Sequence, residues 1–133
     1  MAKNVKLSPE IVLKLGQNVY KPLIDIMTNN KNSFSAIETL ATGNNGDSYW
    51  DGTRAFSWFC AATRTCCNNY YRVYKVSEFF EKMCDGAADL DFADNDGKYG
   101  TGKSLIKLSQ QFSSLKDSAS KNYSTVLSWA QTK

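Results

Sequence analysis

The sequence predicts an all-α protein, a helical bundle of four to five helices in which two long helices carry most of the core. Three observations lead to that class. Apolar residues recur at three- and four-residue spacing across 49–84 and 104–129, helix-start signals stand at the head of several segments, and no run of branched apolar residues marks a buried strand. With 133 residues the chain, 1–133, is one helical-bundle domain, long enough for a single core.

The first helix starts at Ser8-Pro9-Glu10, where Ser8 caps and Pro9 occupies a position whose missing N–H costs nothing. Ile11, Leu15, Val19, Leu23 and Ile26 or Met27 supply its apolar rhythm, and Pro22 is expected to kink or end it. "TNNKNS" then reads as a turn. Ser35-Ala36-Ile37-Glu38 has capping-box spacing and opens a short helix that stops at Gly43, before the loop "TGNNGDS".

From Tyr49 to Cys84 a long helix is expected. Ala55, Phe59, Ala62, Cys66, Tyr70, Val73 and Phe80 fall along one face, at ~100° per residue. The opposite face collects Arg54, Ser57, Arg64, Thr65, Asn68, Arg72, Lys75 and Lys82. "YYRVYKV" alone has strand propensity, but the helical agreement runs far beyond it. Asn68-Asn69 is where this helix is open to interruption, which would break the basic stripe.

Residues 85–102 read as a flexible, acidic and Gly-rich connector. The last helix follows from Ser104. Leu105, Leu108, Phe112, Leu115, Ala119, Asn122, Val126 and Trp129 form its heptad seam, with Asn122 the one polar member.

Inside the connector, Gly97-Lys98-Tyr99-Gly100-Thr101-Gly102-Lys103-Ser104 fits the phosphate-loop pattern G-x-x-x-x-G-K-[ST]. Nucleotide chemistry also needs a buried strand before that loop and a second strand ending in Asp, and neither is present. Asp85, Asp89, Asp91, Asp94 and Asp96 would repel a triphosphate, so a Gly-rich turn opening a helix is expected. Asp94-Asn95-Asp96-Gly97 resembles a calcium loop only in part. Phe92 stands at the first ligand position and Lys103 where a bidentate Glu belongs.

The composition closes further routes. With no histidine there is no Ser-His-Asp or Cys-His pair and no His-ligated metal. Cys60, Cys66, Cys67 and Cys84 lack paired C-x2-C knuckles and read as buried small apolar residues in a reducing cytosol. Asp25 with Glu38, or Glu78 with Glu81, are the carboxylate pairs an enzyme would have to use, and helix surfaces carry such residues by default. The expectation is a protein without catalytic activity, cofactor or metal. No apolar run spans a membrane and no signal peptide opens the chain, so no membrane partner and a cytoplasmic location are expected.

The basic stripe points to a partner. Arg54, Arg64, Arg72, Lys75 and Lys82 share their face with Ser57, Thr65 and Asn68, all residue types that donate to phosphate oxygens. Trp50, Trp58 and Tyr71 stand near it and offer rings on which unpaired bases stack. No base-reading motif is present, so DNA or RNA would be held by shape and charge. A small, helical, mildly basic chain with these faces resembles the small helical subunit of CRISPR effector complexes. That resemblance implies no catalysis, stacked neighbouring copies, and backbone contacts to a displaced strand or guide duplex.

The alternative is a protein-interaction module such as an inhibitor, immunity, adaptor or viral assembly protein. It rests on the aromatic cluster between Trp50 and Phe80, in which Phe56, Tyr74 and Phe79 fall away from the apolar line.

Overall fold

A computed structural model describes residues 8–43, 54–95 and 100–131. Three α-helices account for nearly all of them: α1 (Pro9–Gly43), α2 (Arg54–Asn95) and α3 (Thr101–Gln131). The all-α class stands, but the expected four to five helices are three, and all three are long. At about 1.5 Å per residue, the 42 residues of α2 extend roughly 63 Å.

Two of the expected breaks do not occur. Pro22 lies inside α1 on its solvent side, with Asn18 also exposed, so the carbonyl that Pro22 cannot serve faces water and the helix continues. "TNNKNS" is helical because Asn30 is buried and bonded to α2. Its Nδ2 donates to the Cys66 carbonyl at 2.9 Å, and its Oδ1 accepts from Asn69 Nδ2 at 3.2 Å. These long-range bonds outweigh a weak local turn preference. Ser8 does cap α1, accepting from Ile11 N–H at 3.3 Å.

The connector is also shorter than expected, because α2 continues to Asn95 and α3 begins at Thr101. Cys84, Ala87, Ala88 and Asp91 repeat at helical spacing and are all buried. Small residues there let the helices approach closely, and a reading weighted to large apolar side chains passes over such a stripe. The α3 seam lies as expected, with Leu105, Leu108, Phe112, Leu115, Ala119 and Val126 buried.

Specific contacts fix the topology. Gly16 of α1 lies beside Cys84 and Asn30 beside Cys66, so α1 and α2 run antiparallel. Glu81 of α2 meets Ser109 and Lys116 of α3, while Tyr71 meets Tyr123, so α2 and α3 are antiparallel too. The bundle therefore runs up, down and up.

The core divides in two. A larger cluster includes Val12, Leu23, Val73, Phe80, Leu108 and Phe112, and a smaller one is built from Ile37, Phe59, Cys66, Cys67, Tyr70 and Val126. Asn30 and Asn69 make a polar crosslink between α1 and α2, and Tyr70 bonds the Asn122 side chain of α3. Buried polar partners of this kind stabilise one register over its slipped alternatives, because slippage would leave them unpaired.

Candidate nucleic-acid interface

The surface of α2 opposite the core is set by helical geometry alone. Arg64, Arg72, Lys75 and Lys82 fall within an arc of about 80° along some 27 Å of helix. All four are exposed, as are Ser57, Thr65 and Asn68. The helix runs through Asn68-Asn69 without interruption, so the stripe has one axis. Asn68 points to solvent, whereas Asn69 turns inward to Asn30. The Arg54 side chain and Trp50 lie outside the described residues.

The stripe has a definite charge pattern. Lys75 Nζ contacts Glu78 Oε1 at 3.3 Å and lies 5.2 Å from the centroid of the Tyr74 ring. The hydrogen bond from Lys75 to Glu78 and the charge of that carboxylate raise the lysine above its ordinary pKa. Beyond Lys82 the same helix presents exposed Asp85 and Asp89, so the cationic stretch ends there. The carboxylates considered for acid–base chemistry are held elsewhere. Glu78 pairs with Lys75, and Glu81 is bonded to Lys116 at 2.8 Å. Among the described residues, no three acidic or cysteine side chains converge as a metal site.

Aromatic residues flank the cations. Trp58 is 48% exposed, Tyr71 45% and Phe79 60%. The Tyr71 ring packs on Tyr123 of α3 at 5.3 Å between centroids, tilted by 46°. Beside this pair a cavity of about 590 Å³ opens between α2 and α3. Thr63, Arg64, Asn68, Tyr71 and Tyr123 line it together with Cys60. Thr63 is 1% exposed, and its hydroxyl is buried with no hydrogen-bond partner among the described residues. Periodicity along single helices does not reveal this hollow, which needs α2 and α3 docked together. Its walls come from both helices, Cys60, Thr63, Arg64, Asn68 and Tyr71 from α2 and Tyr123 and Leu127 from α3.

All four cysteines are free thiols; Cys66, Cys67 and Cys84 are buried and Cys60 is half-buried. Burial pushes Cys66 up to about 11, an effect partly offset by its Asn30 contact, and Cys84 also up to about 11. Neither is suited to act as a nucleophile near neutrality.

The phosphate-loop pattern has a structural answer where it is described. Gly100 adopts φ +75° and its carbonyl accepts from Ser104 N–H at 3.0 Å, forming the first turn of α3. The buried Asp91 carboxylate accepts from Gly102 N–H at 2.8 Å. An anion already occupies the helix end at which a phosphate would bind.

No described helix is long and apolar enough to cross a membrane. The chain matches no family model, and no curated protein or solved structure shows significant similarity to it.

Proposed function

We propose that this chain binds nucleic-acid backbone through the exposed face of α2, as a non-catalytic helical subunit of a cytoplasmic nucleoprotein complex. One observation carries the reading: Arg64, Arg72, Lys75 and Lys82 stand exposed on one face of one unbroken helix, with Thr65 and Asn68 between them. Backbone phosphates accept from all of these groups, and nothing on the face is arranged to read base pairs in a groove. Its partners are DNA or RNA and the other subunits of the assembly, further copies of itself among them. This is the arrangement implied by its resemblance to the small subunits of CRISPR effector complexes.

The test is titration of labelled duplex DNA, single-stranded DNA and RNA at ~50 and ~200 mM salt. Three or four neutralised phosphates on a duplex imply a loss of about 40- to 150-fold between those two conditions, through counterion release. Arg64→Glu with Arg72→Glu and Lys75→Glu should abolish binding while the helical circular dichroism is unchanged. Undiminished binding by that folded variant would refute the assigned face.

Phe79 supports a second reading, because a phenylalanine 60% exposed between Lys75 and Lys82 is a ready anchor for a protein partner. An interface of that kind would lose little affinity between the two salt concentrations.

A further inference from the structure

We infer that the cavity between α2 and α3 is a receptor for one unstacked base of a single strand whose phosphates lie on the α2 stripe. The inference rests on the backbone reading above and adds to it a preference for unpaired nucleic acid.

The two features are physically continuous. Arg64 belongs to both: it is exposed on the cationic face and it lines the cavity. Asn68, one turn further along α2, is likewise exposed and in the cavity wall. A phosphate neutralised by Arg64 therefore places its own base at the cavity mouth, without any extra reach along the strand.

The wall suits a base. Tyr71 and Tyr123 meet at 46°, so they form an angled pair of rings and not a closed stack, and a planar heterocycle has an aromatic surface to pack against. The Asn68 amide carries both a donor and an acceptor, which matches the mixed edge of any base. At about 590 Å³ the space is in the range of small-molecule sites and accommodates a purine. A base within a duplex is stacked and paired on both sides and cannot enter.

The experiment compares three probes of equal length: a single strand containing the fluorescent adenine analogue 2-aminopurine, its duplex, and an abasic strand with the same phosphates. The expected result is quenching of the analogue on binding and affinity for the single strand about tenfold above that for the abasic strand, the scale of one stacked base. Cys60→Phe fills the half-buried mouth. It should reduce the single strand to the abasic level, remove the quenching, and leave duplex binding and its salt slope unchanged. Tyr71→Leu is the second variant; Tyr71 is 45% exposed, so its ring can be removed with the fold intact. It should weaken the single strand by about tenfold, the scale of one stacked base, and leave the abasic strand unchanged. Equal, salt-sensitive binding of single and abasic strands, indifferent to both variants, would overturn the base receptor and leave the backbone reading standing. Absence of salt-sensitive binding to all three probes would overturn the backbone reading and this inference with it.

Discussion

The Asp91 carboxylate of α2 accepts a 2.8 Å hydrogen bond from the backbone N–H of Gly102 in the first turn of α3. Asp91 is fully buried, and a Cβ added at Gly102 would stand 2.9 Å from Phe92 Cε2 and 3.0 Å from the carboxylate itself. Glycine at 102 is what permits the approach. The contact ties the end of one long helix to the start of the next and satisfies a donor that no helical carbonyl can reach.

Replacing the carboxylate should therefore destabilise the fold. Asp91→Ala leaves the Gly102 N–H buried and unpaired, and we expect a loss of about 1–3 kcal/mol. A fall in melting temperature of roughly 4–12 °C should follow for a chain of this size. Asp91→Asn, which keeps an acceptor without the charge, should lose less. Thermal scans by circular dichroism check both, and an unchanged melting point for the alanine variant would mean the cap contributes nothing.

Two glycines within helices should respond in opposite directions to alanine. At Gly86 an added Cβ meets nothing within 4 Å, so Gly86→Ala should stabilise by about 0.5–1 kcal/mol through helix propensity. At Gly16 the added Cβ would lie 2.7 Å from Leu108 Cδ2, and Leu108 is itself buried. The overpacking cost of ~1–3 kcal/mol there exceeds the propensity gain, giving a net loss of about 1 kcal/mol. Denaturant midpoints of the two variants should move apart. Movement in the same direction would contradict the close α1–α3 packing.

Gly16 also explains which parts of the fold were legible in the sequence. The α3 seam was read correctly because its contact line is made of large apolar residues, and periodicity detects those. On α1 the periodic residues Ile11 and Leu15 are 52% and 40% exposed, while Val12 and Gly16 face the core. A glycine at the contact carries no hydrophobic signal although it allows the closest approach. Asn30 failed for a related reason: its local preference is a turn, and the hydrogen bonds that bury it lie 36 and 39 residues away in sequence. The exposed basic face was legible because Arg64, Arg72, Lys75 and Lys82 belong to one continuous helix. The cavity was not, because it needs Tyr123 of α3 beside Tyr71 of α2, a pairing known only once the helices are docked.

The Glu81–Lys116 contact predicts a specific pH dependence. The Lys116 hydrogen bond holds the Glu81 carboxyl below its usual 4.5, with help from Ser113, while the same bond to Glu81 lifts Lys116 above its usual 10.5. For Glu81 the depressed folded value means its stabilisation is present above about pH 4.5 and lost as pH falls through that lower value. For Lys116 the raised folded value means its share is present below pH 10.5 and lost as pH rises through the higher value. Glu81→Gln should thus cost about 0.5–1 kcal/mol across the neutral range. Its stability curve should converge with that of the parent in acid. Parallel curves down to pH 2–3 would show that the charge pair is not the source of the difference.

The cysteines give a reading of how each end of the core opens. Cys66 and Cys84 are both fully buried, and burial raises both thiols to about 11. At pH 8 such thiols carry far less thiolate than an ordinary cysteine does. Native alkylation should therefore label Cys60 first, since it alone is half-buried. Cys66 and Cys84 should then react only as the bundle opens around them. Cys66 belongs to the smaller cluster, of six buried residues against the twelve of the cluster that contains Cys84 among the described residues, and borders the cavity-bearing end. Mass spectrometry of timed iodoacetamide reactions should find Cys66 labelled sooner than Cys84. Equal rates would show that the two ends unfold as one unit, and faster labelling of Cys84 would place the weaker packing at the opposite end of the bundle.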